Sequence, residues 1–182
     1  AGVGLGFLSL LILALGAAGV MNRPIWLVVL AARAAFGLWR VSRLVKGTPK
    51  SAESSDAIRW LWMLLVPFAA IAILAASLPP GILWPAEGNG YDVLGHHLGA
   101  PRECYEAGRI SFLPHNIYSN FPFAVEMLYL LSMIVYGDPV AAGITAQMVN
   151  LLIAGLAVAA VWLAGRQVSR PAGIVAAALV GT

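Results

Sequence analysis

The chain has 182 residues, of which 60% are hydrophobic and only 10% are charged, and it carries a formal net charge of +3. A water-soluble domain carries roughly 25% charged residues. This composition therefore excludes a soluble enzyme, a disordered tail and a nucleic-acid-binding domain. It predicts an all-α polytopic membrane protein whose helices contact lipid and one another. The single cysteine, Cys104, excludes an internal disulfide and a multi-cysteine zinc site.

Six apolar runs follow one another along the chain and predict membrane-spanning helices, each of which needs roughly 17–25 residues. The predicted spans cover about residues 3–20, 24–45, 57–78, 121–136, 140–164 and 171–182. The sixth run has only 12 residues before the sequence stops, and the sequence begins without Met. We therefore interpret residues 1–182 as the N-terminal part of a longer transmembrane domain.

The second run carries three arginines, Arg33, Arg40 and Arg43. An arginine near the bilayer centre costs about 2.5–3.5 kcal/mol. Two interpretations stay open: the run spans the membrane with Arg33 facing other helices, or it lies in the interface as a basic amphipathic helix. In both cases the density of basic residues over 40–59 favours a cytoplasmic position for that segment. The loop 79–120 then lies outside.

The loop 79–120 contains all three histidines and four of the eight acidic residues. Loops of this length are uncommon in compact domains and are usually functional. Residues 91–98 and 101–107 are predicted to form two short amphipathic helices, joined at Gly99 and ended by Gly108. Because apolar runs flank them, we expect both helices to lie flat on the membrane surface.

Asp92 falls in the first turn of the first short helix, where the helix dipole favours a carboxylate. His96 follows four residues later and would share one face of an α-helix with it. Two donors are a weak signal for a metal ion, so no metal ligand is assigned. A divalent cation is the one cofactor left open.

Residues 109–122 have no helical period and alternate aromatic with amide, hydroxyl and imidazole side chains. Such a mixture suits a sugar or another polyhydroxyl ligand. The alternative is an aromatic belt at the membrane surface with turn residues between its rings.

Glu126 lies inside the fourth apolar run. A carboxylate within a span is costly and marks a functional hypothesis, although a position at the wet interface is the simpler alternative. Gln147 and Asn150, in the fifth run, would either line a cavity beside Glu126 or bond neighbouring helices.

The stretch YDVLGHHLGAPRECYEAGRISFLPHNIYSNFPFAVEMLYL resembles the first outer loop of membrane glycosyltransferases of the GT-C superfamily. It is most similar to bacterial relatives of dolichyl-phosphate-mannose–protein mannosyltransferases. The segment AGRQVSRPAGIVAAALV resembles the junction between two later spans of that family, and the resemblance covers roughly residues 57–182. This chain departs from the family in its acidic residues. Many members have two adjacent acids, whereas here Asp92 stands alone and Glu87 lies five residues earlier.

The resemblance implies a multi-pass hexosyltransferase of the bacterial inner (plasma) membrane that serves the cell envelope. Its partners would be membrane lipids and a polyprenyl-phosphate-linked sugar, with no nucleic acid and with an unknown acceptor. Asp92 would be the general base that takes the proton of the acceptor hydroxyl. Positive charge would stabilise the leaving phosphate. The candidates for substrate contact are Glu126, His115, Asn116, Arg102, Arg109 and Tyr118. Rival functions are a transporter or flippase of a lipid-linked substrate and a non-catalytic assembly subunit.

Overall fold

The computed structural model describes residues 2–45, 61–83, 91–120 and 123–182. Every regular element in these ranges is a helix, which confirms the predicted all-α class. The α-helices are α1 (Gly2–Ala17), α2 (Arg23–Val45), α3 (Leu61–Ala76), α4 (Gly99–Glu106), α5 (Ala124–Tyr136), α6 (Ala142–Val168) and α7 (Arg170–Gly181). A π-helix, Asp92–His97, precedes α4, and a 3₁₀ turn, Ile117–Asn120, precedes α5.

Each predicted apolar run overlaps one of these helices. The described parts of α3 and α5 begin at Leu61 and Ala124, while residues 57–60 and 121–122 lie outside the described residues. Helix α6 continues past the predicted end at residue 164. The guanidinium of Arg166 in its last turn lies 4.7 Å from the Trp162 ring centroid, and a basic residue beside an aromatic ring is typical of a helix end at a membrane surface.

Two of the described helices are long and apolar enough to cross a membrane, Arg23–Arg43 with 21 residues and Ala142–Val168 with 27. Only 6% and 0% of their most apolar windows are buried inside the molecule, so neither helix forms the core of this fold. Large exposed apolar surfaces mark contact with a membrane or a partner. The two helices thus point to membrane association. The other apolar helices among the described residues have 10–17 residues.

The guanidinium of Arg33 in α2 contacts α1. Its Nη2 donates a hydrogen bond to the carbonyl of Gly4 at 3.2 Å, and its Cζ lies 5.9 Å from the Phe7 ring centroid. Arg33 is nevertheless exposed, and both interpretations of this run, as a span and as an interfacial helix, stay predictions.

Helix α5 is the centre of the packed core. Nine of its 13 residues are buried, and it contacts α1, α2, α4 and α6. The fully buried Trp26 packs in the same core and donates its indole N–H to the carbonyl of Val20 at 3.3 Å. Gly137 ends α5 with φ of 87°, a left-handed conformation that glycine adopts without steric cost.

Helices α6 and α7 pack closely through glycines. A Cβ atom at Gly165 would lie 2.7 Å from the Cα of Gly173. Small residues allow helix backbones to approach in this way in membrane proteins. Between the two helices, Ser169 caps α7 by accepting a hydrogen bond from the backbone N–H of Ala172 at 3.2 Å.

Candidate functional site

The segment Asp92–His97 winds as a π-helix, and the backbone N–H of Leu98 donates to the carbonyl of Val93 at 2.8 Å. This is the i→i+5 bond of a π-helix, whose turn is wider than that of an α-helix. Oδ2 of Asp92 lies 3.5 Å from Nε2 of His97. The α-helix predicted over 91–98 is instead a π-helix over Asp92–His97, and in it Asp92 pairs with His97.

His97 also reaches the start of α5. Its Nδ1 lies 2.7 Å from Oε1 of Glu126, in the first turn of that helix. Glu126 is only 5% exposed. A buried carboxylate is costly without a hydrogen-bonding partner, and His97 supplies one.

His96 completes the group, which we call the His97 cluster: Asp92, His96, His97 and Glu126. The buried His96 ring lies 4.4 Å from the His97 ring, centroid to centroid, and 5.7 Å from the ring of Phe123. His96, His97 and Glu126 each offer one ligand atom, and these three atoms lie within 4.8 Å of one another. The cluster therefore joins the outer loop to the first turn of α5.

A cavity of about 350 Å³ opens beside the His97 cluster. Its lining residues come from the π-helix, α5 and α6 and are Val93, His97, Leu98, Val125, Glu126, Tyr129, Ala146, Gln147 and Asn150. Five of the nine side chains are polar. A concave site with a few convergent polar groups is the usual form of a small-molecule site.

The two amides of α6 both line this cavity and bond neighbouring helices, so both predicted roles are observed. The hydroxyl of Tyr129 donates to Oδ1 of Asn150 at 2.6 Å. With its amide nitrogen turned toward α3, Gln147 donates to the carbonyls of Ala76 and Leu78 at 3.1 Å. These bonds fix the cavity wall to α3 and α5.

A second, apolar cavity of about 570 Å³ lies between α1, α2, α5 and α6. Its lining residues are mainly aliphatic and are Leu5, Leu8, Arg23, Leu30, Leu128, Leu131, Ser132, Val135, Tyr136, Thr145, Val149 and Leu152. Helix α5 thus contributes to the walls of both cavities, one polar and one apolar.

The predicted basic candidates Arg102 and His115 are exposed, and each pairs with a glutamate of α4. Nε of Arg102 lies 2.7 Å from Oε1 of Glu106, and this hydrogen bond raises the pKa of Arg102. Nε2 of His115 lies 2.7 Å from Oε2 of Glu103. The i, i+4 pairing of Arg102 with Glu106 follows from α-helical spacing, which α4 has.

Three further candidates lie near the end of the loop. Arg109 is exposed after α4. Asn116 donates its amide N–H to the carbonyl of Gly95 at 3.2 Å, which ties residues 109–120 to the π-helix. Tyr118 belongs to the 3₁₀ turn, and its side chain lies outside the described residues.

The structure thus brings together two of the predicted site residues, Asp92 and Glu126, through a histidine that the sequence prediction did not select. Tyr129 was also missed. The signal for His97 was present: a carboxylate inside an apolar run requires a partner, and the neighbouring loop supplies adjacent histidines.

Comparison with models of protein families, with curated proteins and with solved structures gave no match for this chain.

Proposed function

We propose that this chain is part of a multi-pass membrane glycosyltransferase of the bacterial inner membrane, with the loop 79–120 on the outer side. It transfers a sugar from a polyprenyl-phosphate carrier to an acceptor hydroxyl. The observation that carries the proposal is an exposed carboxylate, Asp92, 3.5 Å from His97, next to a polar cavity with the buried Glu126 in its wall.

Asp92 acts as the general base. The acceptor hydroxyl gives its proton to this carboxylate while the hydroxyl oxygen attacks the anomeric carbon of the sugar. The bond between that carbon and the phosphate oxygen breaks, and the carrier phosphate leaves with the bonding electrons. His97 holds the Asp92 side chain in place, and its other ring nitrogen is held by Glu126.

The polar cavity receives the sugar. Glu126 and the bonded pair of Tyr129 and Asn150 present acceptors and a hydroxyl that suit the hydroxyl groups of a hexose. The apolar cavity on another face of α5 supports the proposal that the substrate carries a lipid tail. A carrier-linked sugar needs both environments within a short distance.

The leaving phosphate needs positive charge near the membrane surface. Arg109 is exposed after α4 and is the best placed of the predicted candidates. Arg102 and His115 are engaged by Glu106 and Glu103, so they contribute only after those pairs open. Asn116 positions the segment through its bond to Gly95.

The test is the variant Asp92→Asn in the full-length protein, assayed in membranes with a radiolabelled polyprenyl-phosphate hexose. General-base catalysis contributes about 10²–10⁴-fold, so we expect transfer to fall by that factor while donor binding is retained. The matched control is Asp138→Asn, in the α5–α6 turn, where Asp138 accepts bonds from the N–H groups of Val140 and Ala141.

Unchanged transfer by Asp92→Asn would eliminate Asp92 as the base. Movement of the labelled lipid across the membrane without any transfer would favour a flippase. Binding of neither lipid nor sugar by the unmodified protein would favour an assembly subunit.

A further inference from the structure

We propose that His96, His97 and Glu126 form a binding site for a transition-metal ion of the zinc class, and that Asp92 orients His97 in it. The donor set is two imidazoles and one carboxylate, whose ligand atoms lie within 4.8 Å of one another. Sets of two histidines and one glutamate hold zinc in sites that keep a fourth position open.

The distances are close to those that a bound ion requires. Zinc binds imidazole nitrogen and carboxylate oxygen at about 2.0–2.2 Å, so the ligand atoms of a tetrahedral site lie about 3.3 Å apart. Nδ1 of His97 and Oε1 of Glu126 are already 2.7 Å apart. Small side-chain rotations bring the nearby His96 ring, 4.4 Å from that of His97, onto the same ion.

The second ring nitrogen of His97 supplies an independent argument. A metal-binding histidine usually donates its other N–H to a carboxylate, which fixes the tautomer and the ring orientation. When Nδ1 of His97 binds the ion, Nε2 carries the proton and faces Oδ2 of Asp92 at 3.5 Å. Asp92 is thus a positioning residue for the metal, whatever its part in sugar transfer.

The surroundings favour an ion over a simple hydrogen bond. His96 and Glu126 are both buried, so two strong donors meet where water has little access. Magnesium and calcium prefer oxygen donors, and two imidazoles therefore select a softer ion. The ion would take the place of the proton between His97 and Glu126, and its binding would release that proton.

The fourth coordination position faces the polar cavity, because His97 and Glu126 are part of the cavity wall. A water molecule or a substrate oxygen would complete the coordination there. The proposed site can be tested separately from the proposed sugar transfer, because metal binding is measured without any substrate.

The experiment titrates zinc alone into the chelator-treated full chain in detergent micelles, in competition with a chromophoric chelator. We expect one bound ion per chain, proton release on binding, and X-ray absorption spectra with nitrogen and oxygen ligands at about 2.0–2.1 Å, including two imidazoles. We expect His96→Ala and Glu126→Gln to abolish this binding, and Asp92→Asn to weaken it by about 10–100-fold.

The matched control is His115→Ala. His115 and Glu103 also form a histidine–carboxylate pair at 2.7 Å in the same loop, so zinc affinity should be unchanged if the three-donor site is the one that binds. Glu126→Gln keeps the size of the side chain and tests the site even where His96→Ala does not fold.

Two results would overturn the proposal. One is an unmodified chain that binds no zinc above the level of Glu126→Gln. The other is an absorption spectrum without imidazole ligands. Neither result bears on Asp92 as a general base, whose test measures transfer of the sugar.

Discussion

Helices α5 and α6 are joined by a tight turn and were both predicted as spans from apolar composition, yet protein surrounds one and not the other. Nine of the 13 residues of α5 are buried. Among the 27 residues of α6, all described, only Ala142, Gly143 and Ala146 are buried. Apolar composition thus identifies both helices but does not distinguish a helix that is covered by protein from one that is exposed.

The polar residues of the two helices follow the same division. Glu126 and Tyr129 of α5 point to partners inside the protein, and Asn150 of α6 turns toward α5. Beyond Ala146, α6 has no buried residue. The difference teaches that the site lies where the protein-covered α5 meets the first turns of the more exposed α6.

The prediction with the largest expected effect concerns the truncation of one leucine in each helix. Leu130 of α5 is 0% exposed, whereas Leu152 of α6 is 55% exposed. We expect Leu130→Ala to lower the free energy of unfolding by about 2–5 kcal/mol, because it leaves a cavity. Leu152→Ala should change it by about 0.5 kcal/mol or less. Unfolding in detergent micelles measures both, and equal losses would contradict the division between the helices.

The next test removes the partner of the buried carboxylate. His97→Ala leaves Glu126 without its hydrogen bond, which should cost about 2–3 kcal/mol of stability. The control, His115→Ala, removes an exposed pair at the same 2.7 Å distance and should cost about 0–1 kcal/mol. Adding Glu126→Leu to His97→Ala should recover stability, since neither polar partner then remains. A double variant no more stable than His97→Ala would show that Glu126 does not depend on His97.

A smaller effect is expected where α6 does meet protein, at its contact with α7. A Cβ at Gly173 would lie 2.9 Å from the carbonyl oxygen of Trp162, so Gly173→Ala should destabilise by about 1–3 kcal/mol. Gly155 lies in α6, and a Cβ atom there would have nothing within 4 Å. Gly155→Ala should therefore stabilise by up to about 1 kcal/mol through helix propensity. Thermal unfolding measures both changes, and a loss at Gly155 would place an unseen contact there.

The smallest expected effect concerns the thiol of Cys104, which lies in α4. Burial raises the pKa of Cys104 in the core contact between α4 and α5. The folded chain then holds the thiol proton to higher pH than the unfolded chain does. This contribution to stability is complete below the unfolded pKa and is lost as pH rises through the folded pKa. We expect alkylation by iodoacetamide to rise at a more alkaline pH in folded than in denatured chain, and coincident profiles would contradict the burial.

The positions of the helices were predictable because apolar runs and their interruptions are local properties of the sequence. Gly108 follows the end of α4 as predicted, and the spacing of Arg102 and Glu106 predicted their pair. Helix α4 begins at Gly99, two residues before the predicted start at Pro101. The orientation of α4 on a membrane surface stays a prediction.

The candidate site was predictable in part. Asp92 and Glu126 were selected because acids are unusual in their surroundings, but their link through His97 depends on a π-helical turn. No local pattern in DVLGHH distinguishes that turn from an α-helical one. The bond also joins residues 29 positions apart, and packing of the loop on α5 decides it.

The unequal lengths of neighbouring helices have a consequence for how α5 fits a bilayer. At about 1.5 Å per residue, α6 is roughly 40 Å long and α5 roughly 20 Å, while a hydrocarbon layer is about 30 Å thick. Helix α5 is therefore too short to cross such a layer upright. Its contacts with α1, α2, α4 and α6 bury nine of its 13 residues. These helices take the place of lipid along most of its length.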